Sequence, residues 1–313
     1  ILLSGDGSVN LTGVAADTRL NSGGGRGGDV RVTADRLVII DGSRISAVTF
    51  GSGDAGNLSI SAGEMYLSGD GSAFFTGLAT QANADSAGQG GDLSVTADRL
   101  VIRDGAQISA ATFASGDAGN LVIRVEEQLT INRAGIATAA LADAGGGSII
   151  IETPATITLV DSQITTSVAG GDRNAGNITI TIPTVLVLVD DSTIRANAFG
   201  GTGGNVQITT SALLQHPDSV IEASSALGID GRISIDSPEV DVSTGLFTLS
   251  SAFLVDPDLP DPCAVYRPGD ASTFTVSSGG LLAGPDGFTN GNYVDVAAGV
   301  STASQYFFLG GGC

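Results

Sequence analysis

One short phrase recurs eight times along this chain: a glycine, usually a polar residue, then two branched apolar residues flanking one side chain. It reads Gly28-Asp-Val-Arg-Val, Gly56-Asn-Leu-Ser-Ile, Gly91-Asp-Leu-Ser-Val, Gly119-Asn-Leu-Val-Ile and Gly147-Ser-Ile-Ile-Ile. It continues as Gly176-Asn-Ile-Thr-Ile, Gly204-Asn-Val-Gln-Ile and Gly231-Arg-Ile-Ser-Ile. The positions of these glycines differ in turn by 28, 35, 28, 28, 29, 28 and 27. A period that steady defines a repeat architecture, in which each unit buries its apolar face only against its neighbours.

Within one period the apolar residues fall in three short groups. Counted from the repeat glycine, positions +2 and +4 are branched, as in Val30/Val32, Leu93/Val95 and Ile178/Ile180. This is the alternation of a strand with one buried face. A second group lies near +9 to +12 (Leu37-Val38-Ile39, Met65/Leu67, Leu129/Ile131). A third lies at +17 or +18 (Ile45, Ile108, Ile136, Ile164, Ile194, Ile221). Three strands per turn of about 28 residues predict an all-β fold: a right-handed parallel β-helix whose coils stack ~4.8 Å apart into a rod about 40 Å long. Asp41, Asp104, Asp161, Asp191 and Asp218 precede the third strand and suit a turn. The glycine corners are expected to use positive φ.

Composition agrees with stacked narrow strands. The chain has no Trp, one Met and 5% aromatic residues, so its 42% hydrophobic content is mostly Ile, Val, Leu and Ala. Net charge is -20, with 13 Arg and no Lys. Such a surface repels phosphate backbones, so nucleic acid is not an expected partner. No apolar run reaches the ~20 residues of a membrane-spanning helix. Ile1-Leu2-Leu3 already looks like the middle of a strand, which suggests the C-terminal part of a longer protein.

The period divides the chain into a solenoid at 1–245 and a non-repetitive segment at 246–313, read as a C-terminal cap or anchor. The boundary is marked by Asp256-Pro-Asp-Leu-Pro-Asp-Pro-Cys263, which cannot continue a central strand. The two cysteines, Cys263 and Cys313, both lie beyond the repeat. They read as one disulfide closing a long loop, which implies an oxidising compartment, or as two separate buried thiols. The one long step, from Gly56 to Gly91, carries an insertion around Gly69-Asp-Gly-Ser-Ala-Phe-Phe-Thr76. Insertions in solenoids map to loops on one face, so Phe74 and Phe75 are a candidate contact loop, with packing back onto the coil as the plainer reading.

Catalytic constellations are thin, and no enzyme is expected. The single His, His216, sits in the turn Leu214-Gln-His-Pro-Asp218 and reads as a solvated turn residue. The Gly-rich run Gly23–Gly28 matches a dinucleotide fingerprint formally but precedes a strand, so it reads as a corner. No cofactor is expected. Asp29, Asp92 and their neighbours form an acidic face that would suit Ca²⁺, yet the calcium-binding pattern Gly-Gly-x-Gly-x-Asp is absent. Asn-x-Ser/Thr triplets at Asn10, Asn57 and Asn177 follow from the repeat grammar.

The pattern Gly-Gly-Asp-Val-x-Val-Thr-Ala-Asp-Arg-Leu-Val-Ile-x-Asp-Gly-x-x-Ile, followed by Gly-Asp-Ala-Gly-Asn-Leu, resembles the filamentous-haemagglutinin-like exoproteins of two-partner secretion. The resemblance covers about residues 25–245. The segment from Cys263 to Gly280 is similar to the Cys-bearing tail that ends many of these proteins. The secretion domain that begins them is not in this chain. The resemblance implies a secreted rod-like adhesin on the surface of a Gram-negative bacterium, associated with the outer membrane and without turnover. Its implied partners are an outer-membrane secretion pore or other surface anchor, and a receptor on a host, neighbouring cell or matrix, including glycans. A disulfide between Cys263 and Cys313 would hold the rod at its pore. Self-association into an extracellular filament or surface layer is the alternative, and a polysaccharide-acting β-helix enzyme the third reading.

Overall fold

The computed structural model describes residues 1–5, 12–18, 25–70, 72–83, 88–141 and 143–237. The cap segment 246–313, with Cys263 and Cys313, falls outside the described residues, as does Asn10.

Every strand pairing among the described residues is parallel, and the chain winds as a right-handed parallel β-solenoid of about eight turns. Each coil is numbered from its repeat glycine, so coil 1 opens at Gly28 and coil 8 at Gly231. The repeat phrase predicts the register residue by residue. Val30, Leu58, Leu93, Leu121, Ile149, Ile178, Val206 and Ile233 stand directly above one another. Ile45, Leu78, Ile108, Ile136, Ile164, Ile194 and Ile221 form the corresponding column on the third face. In coil 2 the insertion pushes this position to Leu78, beyond the usual offset.

The three faces are present, but the first two are usually hydrogen-bonded as one bent strand, such as Val30–Ile40 or Leu93–Arg103. In Leu93–Arg103 the buried positions run Leu93, Val95, Ala97 and then Leu100, Ile102. Asp98 and Arg99 between them both point to solvent. That single break in alternation turns the chain through the corner. Coil 5 splits the pair, into Ile149–Glu152 and Ile157–Val160.

The repeat glycines do not serve the purpose expected of them. Positive φ occurs at Gly13, Gly42, Gly77, Gly105 and Gly171, and at none of the eight repeat positions. What requires glycine there is the coil below. A Cβ at Gly119 would lie 2.0 Å from the carbonyl oxygen of Gly91, and one at Gly147 would lie 1.9 Å from that of Gly119. The same clash recurs at Gly56, Gly91, Gly176, Gly204 and Gly231. Gly28 is the exception, for its Cβ would meet only the Ala16 Cβ, at 3.4 Å.

The polar residue after each glycine closes the same corner. Its side-chain oxygen accepts the backbone N–H of its counterpart one coil on. Asn57 N–H donates to Asp29 Oδ1 (2.8 Å), Asp92 N–H to Asn57 Oδ1 (3.0 Å) and Asn120 N–H to Asp92 Oδ1 (2.8 Å). Ser148, Asn177, Asn205 and Arg232 continue the ladder. The Asn57 and Asn177 triplets are therefore members of this ladder.

A two-coil alternation is superimposed. The residue before the repeat glycine is Gly in coils 1, 3, 5 and 7 (Gly27, Gly90, Gly146, Gly203) and Ala in coils 2, 4 and 6 (Ala55, Ala118, Ala175), while coil 8 has Asp230. A Cβ at Gly90 would lie 2.7 Å from the Gly119 nitrogen. One residue earlier, Asp54, Asp117 and Asn174 of the even coils accept the N–H of Gln89, Gly145 and Thr202 (2.7 to 2.8 Å). Inside the rod, Thr80, Thr138 and Thr166 of the third face donate to the carbonyls of Gly91, Gly147 and Gly176. These buried hydroxyls are thus satisfied and tie the third face to the next corner.

The corner before the third face is left-handed. Asp41, Asp104, Asp161 and Asp190 have φ between 47° and 55°, and in the first two a Gly follows with φ of 81° and 85°. Asp-Gly with two positive φ values is the type I′ signature. The sequence reading placed this role on Asp191 in coil 6, whereas Asp190 adopts it. Coil 4 places Arg133 there, at φ 48°.

Candidate functional site

In coil 2, residues 69–76 stand between the strands Leu58–Ser68 and Gly77–Ala82. The insertion is pinned at both ends. Ser72 N–H donates to Gly69 O (2.7 Å), and the buried Thr76 hydroxyl accepts the Gly42 N–H (2.8 Å). The two rings then diverge. Phe74 lies over Gly42 and is 52% exposed. Phe75 lies on the outer side of the third face, among Arg44, Val48 and Ala79.

There it completes a cavity of about 230 Å³ lined by Arg44, Val48, Phe50, Phe75, Ala79, Gln81, Asn83 and Ser109. Val48, Ala79 and Ala111 sit at outward positions of their strands yet are only 4, 7 and 8% exposed. Two coils further on, the outward Ala137 and Ala139 are partly open. The first three coils therefore carry a built pocket on a flank that is otherwise a plain sheet surface.

Arg44 is the charged group of this pocket. Its Nε is buried and has no hydrogen-bond partner. The nearest carboxylate, Asp17 Oδ2, is 3.8 Å from a terminal nitrogen, beyond hydrogen-bond reach. Asp17 is itself held by the Val48 N–H (3.1 Å) and the Ser46 hydroxyl (3.4 Å). Gln81 Nε2 donates to Asn83 Oδ1 (2.6 Å).

A second cavity, of about 360 Å³, lies at the left-handed corner of coils 3 to 6 among Gln107, Arg133, Gly135, Asp161, Gln163, Asp191 and Thr193. Its one arginine is engaged from outside the cavity. Arg103 and Arg133 both donate to Asp104, and the Arg133 hydrogen bond leads in holding that carboxyl below the usual carboxylate range, against the opposing effect of burial. These ion pairs clasp coil 4 to coil 3.

The other sequence candidates are dispersed. Asp29 and Asp92 stand two coils apart with Asn57 between them, each engaged by a backbone N–H. Among the described residues no group of three His, Cys, Asp or Glu side chains is placed to hold a metal ion. His216 is in an exposed turn, with Nδ1 3.5 Å from Asp218 Oδ2, as its context predicted. Ser219, next in that turn, gives its hydroxyl to the Asp190 carbonyl.

Arg44 and Phe50 escaped the sequence reading. The available signal was positional: an Arg at an outward place of the third face, one coil below the insertion. No family model matches the chain, and comparison with curated proteins and with solved structures finds no match.

Proposed function

We propose that this chain is the body of a rod displayed outside a Gram-negative cell, which binds partners through its flank and performs no turnover. The observation that carries this reading is the pocket roofed by Phe75, built from side chains of the first three coils on one flank of the solenoid. A repeat that folds coil by coil also suits a chain exported unfolded and assembled outside, because each coil needs only its neighbour. The resemblance of residues 25–245 to filamentous-haemagglutinin-like exoproteins supports a two-partner-secretion adhesin. On that reading the tail bearing Cys263 and Cys313 engages the outer-membrane pore.

The test is adhesion. Beads coated with the full chain are offered to panels of bacterial and epithelial cells, beside beads carrying a protein of equal charge. Selective bead capture by at least one cell type is expected. Equal retention of both bead types would refute the adhesive reading. Regular polymers in electron micrographs would favour the filament instead, and release of reducing sugar from polysaccharide would favour an enzyme.

A further inference from the structure

We propose that the pocket beneath the Phe74–Phe75 insertion binds the carboxylate-bearing terminal sugar of a glycan. The inference rests on the reading of the chain as a flank-binding rod and names the ligand class of its pocket. Four observations converge on it.

The first is an unmet donor on a charged group. A buried guanidinium N–H without a partner is costly, and the fit for it is a carboxylate, whose oxygens accept charge-assisted bonds from the arginine fork. Asp17 faces a terminal nitrogen of the fork at 3.8 Å and leaves the Nε–H without a hydrogen bond. The second is the pair of rings. Phe50 and Phe75 offer apolar faces to the C–H face of a pyranose, beside the amides of Gln81 and Asn83 and the Ser109 hydroxyl as partners for ring hydroxyls. The third is size. At about 230 Å³ the cavity is smaller than the ~300–1,000 Å³ of sites for larger ligands, so it takes one ring. The fourth is the field of the molecule. With a net charge of -20, a polymer acidic at every residue is repelled along its length. A neutral chain ending in one acidic sugar brings a single carboxylate to a single arginine.

The experiment measures binding of D-glucuronic acid, D-glucose and benzoate to the full chain by saturation-transfer NMR and calorimetry. Glucuronate should bind, and glucose at least tenfold more weakly. Arg44→Gln should weaken glucuronate at least tenfold. Asp17→Asn removes the competing carboxylate but keeps an acceptor for Val48 N–H, so it should tighten binding severalfold. That opposite sign keeps the test valid even if Arg44→Gln fails to fold. Equal binding of glucose, tighter binding of benzoate, or indifference to Asp17→Asn would each overturn the proposal. Sugar binding without bead capture by any cell would sink the adhesive reading and leave the pocket standing. Bead capture without sugar binding would do the reverse.

Discussion

Replacing Gly119 by Ala tests the stacking of the rod at one of its repeat corners. The new Cβ would lie 2.0 Å from the Gly91 carbonyl oxygen and 2.5 Å from its carbon, both backbone atoms of the coil below. Contacts under 3.0 Å are not sustained by real Cβ atoms, so the two coils must separate locally by about 1 Å. Three hydrogen bonds cross that seam at 2.8 Å: Gly90 N–H to Asp117 O, Leu93 N–H to Asn120 O, and Asn120 N–H to Asp92 Oδ1. Stretching each by about 1 Å takes it beyond useful geometry, and at roughly 1 kcal/mol net per bond the loss is about 3 kcal/mol. Gly28→Ala is the internal control, because its Cβ meets only another Cβ at an ordinary 3.4 Å. A solenoid can open locally, so the assay is hydrogen exchange of the amides of Gly90, Leu93 and Asn120 alongside urea unfolding. In Gly119→Ala these amides should exchange about 100-fold faster or more, with little change in Gly28→Ala. Equal effects of the two substitutions would refute the argument that the coil below dictates glycine. So would a Gly119→Ala protein within ~0.5 kcal/mol of the parent, the ordinary range of an inconsequential surface change.

Further outcomes follow from the ladders. Asn120→Ala removes the acceptor of Ser148 N–H and should destabilise by about 1 kcal/mol, seen as faster exchange of that amide, whereas Asn120→Asp should retain protection. Thr138→Val withdraws a buried donor from the Gly147 carbonyl and should cost about 1 kcal/mol in urea unfolding, with Thr138→Ser near the parent. Because Asp104 is held below the usual carboxylate range in the folded chain, its ion pairs add stability in full above the ordinary value of ~3.9. That stability is lost as pH falls through the depressed folded value. Arg133→Gln should therefore be less stable than the parent at pH 7, with the gap closing in acid. A gap that stays constant down to pH 2 would exclude this assignment.

Much of the rod was legible because like stacks on like. The +2 and +4 residues of the phrase are the very residues that pair between coils, so period and alternation together specify face and register. The hydrogen bonding of the first two faces as one strand was not legible, since a corner of two outward residues such as Asp98-Arg99 looks like a break. The role of the repeat glycines was misassigned for a physical reason: no local pattern shows that a carbonyl of the adjacent coil lies where the Cβ would be. Asp190 and Asp191 are adjacent, and only the backbone distinguishes which of them turns left-handed. Phe75 was visible as part of an insertion, but its partners Arg44, Val48 and Phe50 come from the preceding coil. Their convergence is a property of stacking that no single coil displays.

The alternation of Gly27, Ala55, Gly90, Ala118, Gly146, Ala175 and Gly203 implies that the molecule lengthens in pairs. Excising residues 91–146 removes one odd and one even coil and leaves every remaining neighbour of the opposite kind. Excising 91–118 alone brings Gln89 into the place of Asp117, and the Gly145 N–H loses the side chain that caps it. Duplication or shortening of such a chain is thus tolerated in steps of two coils. The identity of Val32–Ile39 with Val95–Ile102, two coils further along, is the imprint of one such step.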